Sequence, residues 1–142
     1  MSPASAAAAE DRPDGDAPPR LFVYGSLRIG QENPMAELLH RNSRHLGQGT
    51  VCGRLYVISW YGGMVPGEAA DECVTGDAFE LNPDSAARVL AGLDAYEGDG
   101  FERRTVEVTL DDETRVGAYA YLYAASVAGL PRVAHGDWLR RG

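Results

Sequence analysis

Two short stretches, far apart in the chain, offer groups that could do chemistry: the run Tyr24-Gly25-Ser26-Leu27 and the carboxylate of Glu97. The first follows an apolar tripeptide and contains a glycine and a serine. A strand that stops at Gly25-Ser26 exposes backbone N–H groups that no ladder claims, and glycine lets a ligand approach the main chain closely. Such amides suit a carboxylate or a developing oxyanion. The same tetrapeptide also reads as an ordinary turn after a strand. Glu97 continues a spacing of four, three and four from Ala86, Leu90 and Leu93, so a helix would carry it on the apolar stripe. A carboxylate there is partly desolvated, which raises its pKa and lets it take and return a proton near neutrality. The competing reading is a helix already unwound at Glu97, with the side chain turned to water beside Gly98.

Other candidates are weaker. Ser26 could be a nucleophile, but His40, His45 and His135 have no spacing that nominates a base, and read as surface or structural residues. There is no glycine-rich phosphate loop with its lysine and no Gly-x-Ser-x-Gly elbow. Tyr119, Tyr121 and Tyr123 share one strand face, a packing pattern in which one ring could line a pocket.

The elements that must position these groups follow from punctuation and period. Leu21-Phe22-Val23-Tyr24 reads as a buried strand. Asn33 caps a helix with Pro34 at its first position and Met35, Leu38 and Leu39 on one face. Strands are expected at Thr50–Ser59 and Cys73–Leu81, separated by an irregular loop marked by Trp60-Tyr61-Gly62-Gly63 and Pro66-Gly67. Asn82-Pro83 opens a helix to Tyr96 that Gly98 closes. Phe101–Leu110 and Thr114–Tyr123 form a hairpin through Asp111-Asp112-Glu113. Trp138 anchors the final segment. The order lacks regular βαβ alternation, so the expected class is α+β: a mixed or antiparallel sheet closed into a small barrel with flanking helices.

A single domain over 20–142 suits the chain length of 142 residues, preceded by a proline-rich, acidic tail over 1–19 that reads as disordered. The formal charge of −8 opposes nucleic-acid backbones and anionic lipid. No stretch approaches the roughly 20 apolar residues of a membrane span, and the basic start of a secretory signal is lacking. Cys52 and Cys73 fall in expected strands as small buried hydrophobes, with a disulfide between them left open. They have no metal-ligand spacing, and a reducing cytoplasm is the expected compartment.

Taken in order, Tyr24-Gly25-Ser26-Leu27-Arg28 with Gly30 and Asn33, Leu93-Asp94-x-Tyr96-Glu97-Gly98, and Phe101-x-Arg103-x-x-Val106-x-Val108 closely resemble the γ-glutamylcyclotransferase-like family. The resemblance runs from Leu21 to Tyr123. It implies a small mixed barrel in which Tyr24, Gly25, Ser26 and Leu27 bind a γ-glutamyl group, Glu97 is the general acid/base, and Tyr121 stands at the substrate pocket. The implied reaction is intramolecular attack of the α-amine on the γ-carbonyl, releasing 5-oxoproline and an amine or amino acid. It needs no cofactor and takes a small-molecule γ-glutamyl substrate as its partner; oligomeric state is left open. Two departures from the family pattern, Val65 before Pro66 and Asp77 after the second strand's glycine, bear on substrate choice. The alternatives are a binding module that keeps the pocket without turnover, and a hydrolase using Ser26.

Overall fold

The computed structural model describes residues 18–140. Residues 1–17, which make up most of the expected disordered tail, lie outside them. Within that tail, the Pro19 carbonyl accepts the Leu81 N–H at 2.8 Å. The elements are β1 (Arg20–Val23), α1 (Pro34–Arg41), β2 (Ser43–Val57), β3 (Gly62–Pro66), β4 (Cys73–Leu81), α2 (Ala86–Glu97), β5 (Phe101–Leu110), β6 (Arg115–Tyr123) and β7 (Arg132–Val133), followed by a 3₁₀ turn at Trp138–Arg140.

The strands run in the order β1-β4-β2-β3-β6-β5, and β1 returns to pair with β6, closing the ring β1, β4, β2, β3 and β6. β1–β6 and β3–β6 are parallel, through Leu21↔Tyr119 and Met64↔Leu122, and the other pairs are antiparallel. The expected mixed barrel with two helices is therefore the observed fold. The barrel interior covers one face of β1 and the helices cover the other, which is why Leu21, Phe22 and Val23 are all apolar rather than alternating. Phe22 and Tyr24 point into the barrel with Leu55, Met64, Ala118 and Ala120. Leu21 and Val23 point out to the helices, where Leu39, Val89, Leu90, Leu93, Tyr119 and Tyr121 join them. The small alanines of β6 leave room inside for Phe22, and its large tyrosines cover the helices outside.

Four local expectations change. Asn33 does cap α1, accepting the Ala36 N–H at 2.8 Å, but Asn82 does not open α2. Its N–H is held by the Asn42 carbonyl and its own carbonyl accepts the Ser85 N–H, so Asn82–Ser85 close a turn and the helix begins at Ala86. The strand expected from Thr50 starts at Ser43, because its first residues pair with β4 across a bulge between His45 and Gly47. The expected irregular loop contains β3, whose glycine-rich sequence has weak strand preference yet is paired on both edges; tertiary pairing overrides propensity. Gly62 is small for a reason: a Cβ there would stand 2.7 Å from the Trp138 ring. Finally, Cys52 and Cys73 are exposed free thiols rather than buried hydrophobes, because they sit at the solvent-facing end of the β2–β4 ladder, directly opposite each other. Among the described residues no helix is long and apolar enough to cross a membrane.

Candidate active site

Helix α2 buries Ala86, Val89, Leu90 and Leu93 and runs through Glu97 as its last residue. The unwound-end reading is thereby corrected: the helical stripe persists to the carboxylate. Gly98, at φ +79°, ends the helix in a conformation that L side chains rarely adopt, and its N–H returns to the Asp94 carbonyl at 3.1 Å. Glu97 is half-buried and lines a cavity of about 380 Å³ together with Tyr24, Gly25, Ser26, Leu27 and Tyr121. The structure therefore brings all six sequence-nominated residues to one cavity. Burial pushes the Glu97 carboxyl up to about 7, and the helix C-terminus acts in the same direction. No other described residue forms an ion pair or hydrogen bond with its carboxylate.

The loop turns its carbonyls away and leaves its amides. The Gly25 carbonyl accepts the Arg28 N–H at 3.1 Å, the Ser26 carbonyl accepts Asn33 Nδ2 at 2.7 Å, and the Leu27 carbonyl accepts His40 Nε2 at 2.8 Å. Among the described residues no hydrogen bond takes the N–H groups of Gly25, Ser26 or Leu27. Asn33 has two tasks, since the side chain that caps α1 also fixes Ser26. Three consecutive amide donors beside a half-buried carboxylate have the chemistry to accept an oxyanion or carboxylate with a titratable group next to it. None of the three histidines bonds Ser26: His40 holds Leu27, His45 Nε2 lies 3.0 Å from Asp77, and His135 Nδ1 accepts the Asp137 N–H.

Tyr24 and Tyr121 make the two sides of the cavity one unit. The Tyr24 hydroxyl donates to the Tyr121 carbonyl at 2.8 Å and accepts the Met64 N–H at 3.1 Å. The Tyr121 hydroxyl donates to Asp94 Oδ1 at 2.6 Å, and Arg103 Nε meets the same oxygen at 3.2 Å. Burial raises both phenols well above their usual range, and the nearby Glu97 charge adds to the rise, so both stay protonated.

Sequence reasoning missed the clamp behind the loop. Arg28 is buried and donates to Asp77 at 2.9 Å, Asp137 at 3.0 Å and Gln48 at 3.1 Å. It ties the loop to β4 and to the C-terminal turn, which places the Trp138 ring 3.8 Å from the Cβ direction of Gly25 and inside the cavity wall. Its only sequence signal was its place directly after Leu27. Asp77, one of the two departures from the family pattern, belongs to this clamp and not to the cavity lining, and Val65 is also absent from that lining. Trp60, Tyr61, Tyr96 and Phe101, which complete the wall, were likewise not nominated.

Comparison with known proteins gives a consistent picture. The family model described as "Gamma-glutamyl cyclotransferase, AIG2-like" matches residues 21–140. The chain is 34% identical over 125 residues to the γ-glutamylcyclotransferase family protein YtfP of Escherichia coli K12, covering 86% of this chain and 97% of that protein. The solution structure of E. coli YtfP superimposes with a TM-score of 0.58 at 31% identity, over 86% of this chain and 97% of that one. A crystal structure of an AIG2-like protein from Mus musculus shares the fold, with a TM-score of 0.65 at 23% identity over 86% and 88% of the two chains.

Proposed function

Because the chain belongs to the γ-glutamyl cyclotransferase, AIG2-like family, we propose that it cyclises a small γ-glutamyl amide to 5-oxoproline with Glu97 as general acid/base. The observation that carries this reading is the convergence of Glu97, raised to about 7 by burial, and the three unclaimed loop amides on one cavity.

In this reading the substrate's α-ammonium gives a proton to ionised Glu97. The freed amine attacks the γ-carbonyl carbon of the same molecule and forms the ring C–N bond. The bond to the departing nitrogen then breaks as Glu97 returns the proton to that nitrogen, and the ring nitrogen gives up its second proton through the freed carboxylate to the departing amine, which leaves as an ammonium. Nucleophile and electrophile already share one molecule, so the protein has only to fold the chain and move protons. The Gly25–Leu27 amides receive the substrate carboxylate or the developing oxyanion, and Tyr121, its hydroxyl proton engaged by Asp94, lines the wall beside them. A carboxyl that titrates near 7 is matched to both halves of the transfer.

The test is 5-oxoproline release from a panel of γ-glutamyl amines and amino acids, comparing wild type with Glu97→Gln. Product from wild type and a loss of at least about a hundredfold in the variant are expected. Equal rates would remove Glu97 from its role. Release of free glutamate that disappears in Ser26→Ala would replace the reading with a hydrolase, and saturable binding without any product would leave a binding module.

A further inference from the structure

The cavity wall grades from a buried end to an aromatic mouth. Tyr24, Leu27, Tyr121 and Trp138 are almost fully enclosed, whereas Trp60 is 73% exposed and Tyr96 is 44% exposed. Trp60 meets Tyr61 edge-on at 5.1 Å between ring centroids, and Tyr61 leans on Phe101 at 6.1 Å. These three rings form one connected surface on the way to Glu97. An indole left so open on a small soluble domain is a candidate contact surface rather than core.

Charge on the wall is as informative as its rings. Among the described residues no lysine, arginine or histidine lines the cavity, and Glu97 is its one acidic side chain. Arg103, on the adjoining strand, is engaged by Asp94 and by the Tyr119 ring. The whole chain carries a formal charge of −8. A γ-glutamyl amide brings one carboxylate and one ammonium, and the loop amides and Glu97 answer both. If the departing group is an amino acid, a second carboxylate arrives at a mouth where no described lining residue is a cation to receive it. If the departing group is an arylalkyl amine, its ring stacks on the exposed aromatic surface and brings no carboxylate.

Resting on the cyclotransferase reading, we propose that Trp60 and Tyr61 select the departing group, and that the substrates are γ-glutamyl amides of arylalkyl amines that lack a carboxylate. Three compounds separate the contributions. γ-Glutamyl-phenethylamide and γ-glutamyl-phenylalanine differ only by the carboxylate on the departing group; γ-glutamyl-phenethylamide and γ-glutamyl-ethylamide differ only by the ring. In 5-oxoproline release by the full chain, kcat/KM for the phenethylamide is expected to exceed each of the others by about tenfold or more. Trp60→Ala, a change at an exposed site, is expected to collapse the phenethylamide-to-ethylamide ratio to within about twofold of unity. Equal or faster turnover of γ-glutamyl-phenylalanine overturns the charge argument, and an unchanged ratio in Trp60→Ala overturns the aromatic one, while product formation itself keeps the cyclotransferase reading intact. Failure of all three compounds to give 5-oxoproline overturns both.

Discussion

The Glu97→Gln substitution keeps the side chain's size and hydrogen-bonding reach but removes its titratable proton, so it isolates the cost of carrying a carboxylate on an apolar stripe. Burial raises this carboxyl from its ordinary 4.5 to about 7 in the folded protein. Below about pH 4 both folded and unfolded chains hold the proton and the cost is absent. As pH rises the unfolded chain ionises first, so the folded state loses stability between the two pKa values, and above about pH 7 the loss levels off. A separation of this size corresponds to about 3 kcal/mol. The variant cannot ionise and escapes the loss.

Urea or thermal unfolding of both proteins from about pH 4 to pH 8 should therefore show the difference between variant and wild type growing by about 3 kcal/mol in the variant's favour, or on the order of 10 °C in midpoint. Activity should move the opposite way: kcat/KM of wild type rises with pH until Glu97 is ionised, then flattens, and the variant loses about two to four orders of magnitude. Parallel stability curves would refute the claim that Glu97 is desolvated. A variant weakened by several kcal/mol at pH 8 would point instead to a structural ion pair.

Arg28→Met should be far more damaging than its distance from the reacting atoms suggests. It leaves Asp77, 1% exposed, and Asp137, 8% exposed, without their shared cation, a loss of about 3–5 kcal/mol that denaturant titration would register; near-wild-type stability would show that the clamp is dispensable. Cys52 and Cys73 are partners in β2 and β4, and the Gly53 N–H to Glu72 carbonyl bond marks their pair as non-hydrogen-bonded, the closer kind, with Cα atoms about 4.5 Å apart. Treatment with excess small-molecule disulfide should consume both thiols within the monomer, closing a loop of about 20 residues and adding about 3 kcal/mol of stability. Mixed disulfides or crosslinked dimers in place of the internal bond would refute that geometry.

Local signals in the sequence were sufficient for much of the fold. Asn33-Pro34 marked a helix start because cap and proline act within one turn, and Gly98 marked a helix end because few other residues tolerate φ +79°. The unbroken apolar run at Leu21–Val23 was readable as a buried strand, and the helices packed on its outer side supply the second covered face. Glu97 was visible as an anomaly through helical period alone. Tertiary structure decided what that anomaly meant, because whether an end-of-helix carboxylate meets water or a cavity depends on β1 and β6, which pack beside it from distant parts of the chain. It also decided that the amides of Gly25, Ser26 and Leu27 are unclaimed, since Asn33 and His40 take two of the three carbonyls from α1. The Arg28 clamp joins residues 49 and 109 positions apart, and no local pattern encodes such a meeting. The aromatic mouth likewise exists only because β3 pairs on both edges and brings Tyr61 against Phe101. Period and capping act over a few residues, whereas desolvation and charge pairing depend on what folding brings within a few ångströms.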